Sequence, residues 1–191
     1  FLITLQKFSY RHIISYLCSM VKIALTGPES SGKTTLAQHL AAHFGAPCVQ
    51  EFARLYLDSI GRPYHAEDLP IIARGQLGWE KALAKSNPPL LICDTDLLVL
   101  QIWSEFKYGH CQPAILQYLR EADYTAHILC RPDIPWTFDP LREHPEQREI
   151  LFELYLRALQ QAGALFIIAE GAEEQRRQAA VRFVGELLEK Q

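Results

Sequence analysis

Eight consecutive residues, Gly27-Pro28-Glu29-Ser30-Ser31-Gly32-Lys33-Thr34, constrain this chain more than any other segment. They fit the pattern G-x-x-x-x-G-K-[ST]. The apolar run Val21-Lys22-Ile23-Ala24-Leu25-Thr26 precedes them, and a stretch with helical spacing through Leu36, Leu40 and Phe44 follows. A buried strand, a glycine-bearing turn and a helix in that order form a phosphate cradle. The turn aims backbone N–H groups inward, and the helix adds the positive end of its dipole. Lys33 is placed to reach β- and γ-phosphates, and the Thr34 hydroxyl is placed to bind Mg²⁺. Gly27, Glu29, Ser30, Ser31, Gly32, Lys33, Thr34 and Thr35 are therefore the expected nucleoside triphosphate site.

The rest of the chain supplies the fold that such a loop needs. Short apolar runs at 47–50, 90–93, 126–130 and 164–169 predict four further strands. Helical patterns fall at 52–60, 66–86, 96–107, 113–122 and 146–162, and a last helix starts near Glu173. Gly45, Gly61-Arg62-Pro63 and Asn87-Pro88-Pro89 act as stops. Buried strands alternating with helices predict an α/β domain of three layers: a five-stranded parallel sheet of the P-loop NTPase type with helices on both faces.

Residues 1–19 contain no Asp, Glu, Gly or Pro, and the single Met of the chain is Met20. The expectation is that 1–19 form a leader and that the domain occupies 20–191. No apolar run approaches the ~18 residues of a membrane span. Lys plus Arg is 19 against 22 for Asp plus Glu, a net charge of -3, which gives no general attraction to nucleic acid or anionic membrane. The five cysteines, Cys18, Cys48, Cys93, Cys111 and Cys130, form no CxxC pair, which argues against zinc and for a reducing, cytoplasmic setting. His39 and His43 are one helical turn apart, with no third ligand in sight.

The second Mg²⁺ element should be an acid at the end of another buried strand, and Asp94 follows Leu90-Leu91-Ile92-Cys93. A carboxylate there can hold Mg²⁺ through water or take a proton from an attacking hydroxyl. Asp96 lies two residues on. Glu51 and Arg54 follow the second strand, at the sheet edge where ligands gather. The general base is therefore Asp94 or Glu51. No Asn/Thr-Lys-x-Asp guanine reader is present. The Pro-broken stretch from Arg131 to Arg148 reads as a lid whose Arg142 neutralises the transferred phosphoryl group. Arg148 reads instead as a surface residue paired with nearby glutamates. Trp136 and Asp139 offer a flat face and a carboxylate to a positively charged ring. Adenine is expected near Gly171 to Arg176. Stacking by Arg176 is one reading and a solvated helix face is the other.

Five segments together resemble the ribosylnicotinamide kinase domain of the NadR family. They are Gly27–Leu36; Glu51-Phe52-Ala53-Arg54; Tyr64, Asp68-Leu69, Ile72-Ala73 and Gly75-Gln76; Asp94-Thr95-Asp96 with Gln101-Ile102-Trp103-Ser104-Glu105; and Pro132-Asp133-Ile134-Pro135-Trp136, Asp139 and Leu141-Arg142. The resemblance runs from about Met20 to the C-terminus. It implies ATP-dependent phosphorylation of the 5′-hydroxyl of nicotinamide riboside, with Mg²⁺ and a small-molecule nucleoside as partners. It assigns catalysis to Lys33, Asp94, Glu51 and Arg142. Substrate contact goes to Glu51, Arg54, Asp94, Asp96, Trp136 and Asp139. Pro140 stands where the family often carries Gly, which stiffens the lid. No His-x-Gly-His motif occurs, so kinase activity alone is expected. A kinase for another nucleoside or small metabolite, and an ATP-binding regulator without turnover, remain open on the same residues.

Overall fold

A computed structural model describes residues 20–190; the expected leader at 1–19 lies outside them. The five strands are β1 (Val21–Thr26), β2 (Cys48–Val49), β3 (Leu90–Cys93), β4 (Ala126–Cys130) and β5 (Phe166–Ala169). The helices among the described residues are α1 (Lys33–Phe44), α2 (Phe52–Ile60), α3 (Asp68–Ala84), α4 (Leu97–Tyr108), α5 (Pro113–Glu121), α6 (Arg148–Gln161) and α7 (Glu173–Glu189). All strand pairs are parallel, in the order β2-β3-β1-β4-β5. The connections run outward to one side of β1 and then cross to the other. β1 is thus the switch point, where an open α/β sheet leaves a crevice at its carboxyl edge.

Alternation along β1 divides the core. Val21, Ile23 and Leu25 face α1 and α7, packing with Leu36, Leu40, Ala180 and Val184. On the other face α6 and α4 cover Leu129 with Leu98, Ile102, Phe152 and Tyr155. The helices α2 to α5 form a further cluster around Leu69, Ile72, Leu97 and Ile115. One residue of this strand breaks the apolar pattern. Lys22 is buried, and its ammonium is held by Glu80 at 2.9 Å, by Asp123 at 3.1 Å and by the Ala122 carbonyl. Glu80 also accepts from the Tyr124 hydroxyl at 2.8 Å. A buried charge persists only with such pairing, so this set ties α3 to the sheet.

Candidate active site

The loop between β1 and α1 is shaped by two close approaches. Gly27 has φ +128, and a Cβ there would sit 2.7 Å from the Cys130 carbonyl, so β1 and β4 can lie this close only around glycine. Gly32 caps α1 at φ +85. Lys33 donates to the Gly27 and Pro28 carbonyls, both at 2.8 Å, which holds its ammonium over the loop.

Two side chains of this loop hold the lid. Glu29 accepts from the backbone N–H of Glu143 at 2.9 Å and of His144 at 3.2 Å. Ser30 accepts from the Thr137 N–H at 3.1 Å. Arg148 returns the contact, donating to the Ser30 carbonyl at 3.2 Å and the Ile134 carbonyl at 3.0 Å. The expected glutamate pairing of Arg148 is thus replaced by a bridge from phosphate loop to lid. Its guanidinium also lies 5.6 Å from the Trp136 ring, and that of Arg142 lies 5.9 Å away. Trp136 therefore faces arginines and does not line the cavity. Asp139 is outside the cavity too, paired with Arg54 at 2.9 Å.

Arg176 corrects the solvated-face reading. It is 5% exposed. It donates to the carbonyls of Gly171 at 2.9 Å, Ser31 at 2.8 Å and Arg131 at 2.8 Å, and pairs with Asp133. Its guanidinium is buried and its donors are taken by backbone carbonyls and Asp133, so it fixes the phosphate loop against the turns after β4 and β5.

A single cavity of about 190 Å³ joins these parts. The loop from Gly27 to Thr35 lines it. Its lining also includes Glu51 and Arg54 and the aromatic side chains of Trp103, Phe106 and Tyr155. Arg142 and His144 of the lid close it. Sequence reasoning missed Phe106, His144 and Tyr155, because each sits at a spacing that reads equally well as helix packing or loop.

The acids divide by position. Glu51 lines the cavity, and burial pushes its carboxyl up while Lys33 offsets part of that rise. Asp94 is 6% exposed, at the end of β3 and outside the cavity lining, with Thr34 and Lys33 near its carboxyl. Burial raises its carboxyl as well, against the lowering effects of Thr34 and Lys33. Asp96 is fully buried and does not reach the cavity. It caps α4 by accepting from the Val99 N–H at 2.9 Å and takes the Thr26 hydroxyl at 3.1 Å. Direct substrate contact by Asp96 is thereby corrected to a capping role. Among the described residues no three His, Cys, Asp or Glu form a metal cluster. Mg²⁺ does not need one, since phosphate oxygens and water supply most of its ligands. The Thr34–Asp94 pair fits it.

Comparison with known proteins agrees with this geometry. Residues 22–176 match the family described as AAA domain. The chain belongs to that family. It is also 29% identical over 126 residues to the trifunctional NAD biosynthesis/regulator protein NadR of Escherichia coli, covering 63% of this chain and 30% of that protein. The Salmonella typhimurium NadR matches to the same extent. The chain thus spans less than a third of the curated relatives it matches. Among solved structures, NadR in complex with NR superposes over 87% of the chain and 51% of its own, with TM-score 0.72 and 22% identity. NadR in complex with NAD and AMP-PNP gives TM-score 0.70 and 20% identity over 87% of this chain and 49% of its own. Deoxyadenosine kinase from M. mycoides with bound dCTP gives 0.56 and 16% over 87% of this chain and all of its own. The α/β P-loop fold is common to all of them. Among the described residues no helix is long and apolar enough to cross a membrane.

Proposed function

We propose that this domain transfers the γ-phosphoryl group of ATP to the 5′-hydroxyl of nicotinamide riboside, giving nicotinamide mononucleotide. One observation carries the reading: one cavity is lined by the phosphate cradle together with Glu51, Arg54 and the aromatic side chains of Trp103, Phe106 and Tyr155. A nucleoside suits such a cavity, with its ring against the aromatic side chains and its hydroxyl toward the loop. The carboxylates of Glu29 and Glu51 in that lining favour a positively charged ring, as does the face of an aromatic side chain. The NR-bound NadR structure, similar in fold, supports the same choice.

In this scheme Glu51 accepts the proton of the hydroxyl, and Lys33 and Arg142 stabilise the charge of the transferring group. Thr34 and Asp94 would hold Mg²⁺, which supplies neutralisation of the phosphate charge. The likeness to deoxyadenosine kinase favours a second reading, a kinase for another nucleoside. A panel of nucleosides with ATP, read by ADP release, separates them. Turnover with nicotinamide riboside above all others supports the proposal. Turnover with a different nucleoside replaces the substrate, and nucleotide binding without any turnover replaces the activity with a regulatory one.

A further inference from the structure

Beside the main cavity lies a recess of about 10 Å³, room for roughly one water-sized group. It opens between α3, which contributes Ile72 and Gln76, and α4, which contributes Val99, Leu100 and Trp103. It shares Glu51 and Trp103 with the main cavity, so it is a side chamber of that cavity. Thr95 also lines it.

Thr95 carries two independent anomalies. Its φ is +121, a conformation that β-branched residues rarely adopt because Cβ meets the backbone. Its hydroxyl is buried without any hydrogen-bond partner, in a residue only 6% exposed. The neighbours account for the first. Asp94 is held on the sheet by its N–H bond to the Val49 carbonyl at 2.8 Å, Asp96 caps the start of α4, and Thr95 absorbs the turn between them. They do not account for the second, since buried hydroxyls are nearly always paired. Gln76 is close to spent: its Oε1 accepts from the Phe52 N–H at 2.9 Å, and its Nε2 lies a long 3.4 Å from Glu80. The recess is therefore lined by three polar side chains, the unpartnered Thr95, the weakly used Gln76 amide and the Glu51 carboxylate, among apolar neighbours.

We propose that Thr95 is a specificity-determining residue, whose hydroxyl pairs with one small hydrogen-bonding group of the acceptor, a sugar hydroxyl or a ring amide, seated in this recess. The proposal rests on the nucleoside kinase reading. Strain held at a site that pre-orients a side chain toward ligand is the expected setting for such a residue.

The test compares wild type with Thr95→Val, which keeps shape and branching, and Thr95→Ser, which keeps the hydroxyl. Substrates are nicotinamide riboside, its 2′- and 3′-deoxy analogues and the pyridine riboside that lacks the carboxamide. The expected result is that Thr95→Val loses on the order of tenfold or more in kcat/KM with the full nucleoside, that Thr95→Ser restores it, and that one analogue is processed equally by wild type and Thr95→Val. That analogue names the paired group. An equal loss with every analogue, or no loss with any, overturns the proposal. Wild-type turnover of a different nucleoside instead of nicotinamide riboside overturns the substrate reading alone; the same comparison with that nucleoside and its analogues then decides the recess.

Discussion

The guanidinium of Arg176 on α7 donates to the carbonyl of Ser31 in the phosphate loop at 2.8 Å, joining residues 145 positions apart. The same side chain holds Gly171, Arg131 and Asp133, so one buried cation ties the loop to two other turns. Replacing it with methionine leaves three carbonyls and a carboxylate without their donor. Losing one partner of a buried pair costs about 3–5 kcal/mol, but Asp133 is partly exposed and can be rehydrated, so about 2–3 kcal/mol is expected for Arg176→Met. Denaturant unfolding measures this. Nucleotide affinity should fall together with stability, and Arg176→Lys should recover only part of either, because lysine lacks the fork that spans three acceptors. Unchanged nucleotide affinity in Arg176→Met would separate this residue from the phosphate loop.

Most of the scaffold was legible because parallel strands buried on both faces are short apolar runs, and Gly45, Gly61 and Pro88-Pro89 end the preceding elements locally. The cradle was legible because its chemistry is contiguous in sequence. Arg176 and Arg148 were not, since each binds carbonyls more than 100 residues away and a carbonyl has no sequence signature. Lys22 was hidden for a similar reason: its partner Glu80 lies four elements on, in α3. Asp96 misled because a helix-capping aspartate and a substrate-binding one look alike at the end of a strand. Trp136 and Asp139 lie beside the cavity, not in it, because neighbouring arginines occupy them.

Glu51 lines the cavity whereas Asp94 is buried outside its lining, which divides the two expected bases by role. Glu51→Gln should lower kcat by roughly 10²–10⁴ while leaving ATP affinity near its wild-type value. Asp94→Asn should chiefly raise the Mg²⁺ concentration needed for half-maximal rate. A base must be ionised to act, and burial raises Glu51 above an ordinary carboxylate. The acid limb of kcat/KM against pH should therefore lie above the usual carboxylate range and vanish in Glu51→Gln. Retention of that limb in the variant would move the proton elsewhere.

Gly75 on α3 packs directly under the Phe52 ring, and a Cβ there would lie inside it. Alanine in mid-helix normally stabilises by about 0.5–1 kcal/mol over glycine. Overpacking costs about 1–3 kcal/mol, and here it should win, because the Phe52 backbone is also held by Gln76. Gly75→Ala is expected to be net destabilised by up to about 2 kcal/mol, and to lower kcat/KM by displacing the adjacent Glu51. An unfolding midpoint at or above wild type would show that Phe52 rotates aside freely.

His127 Nε2 lies 3.6 Å from the Asp96 carboxylate, both on the buried side of β4 and α4. Burial pushes Asp96 up to about 7 and His127 down to about 4. At pH 5 the folded pair thus holds one proton, on Asp96. The unfolded chain also holds one, on His127, whose free value is 6.5. The two contributions to the pH dependence of stability therefore oppose each other across this window. Asp96→Asn removes one of them while asparagine still caps α4. His127 then titrates alone, and the unfolded state binds the extra proton between about pH 6.5 and 4. Stability rises with pH wherever the unfolded state binds more protons, so it must fall on acidification through that range. Relative to wild type, Asp96→Asn should lose a further 1–3 kcal/mol, approximately, between pH 7 and pH 4.5. Urea unfolding at both pH values measures the difference, and a second substitution, His127→Asn, should abolish it. Parallel acid losses in wild type and Asp96→Asn would mean that Asp96 takes up no proton in this window.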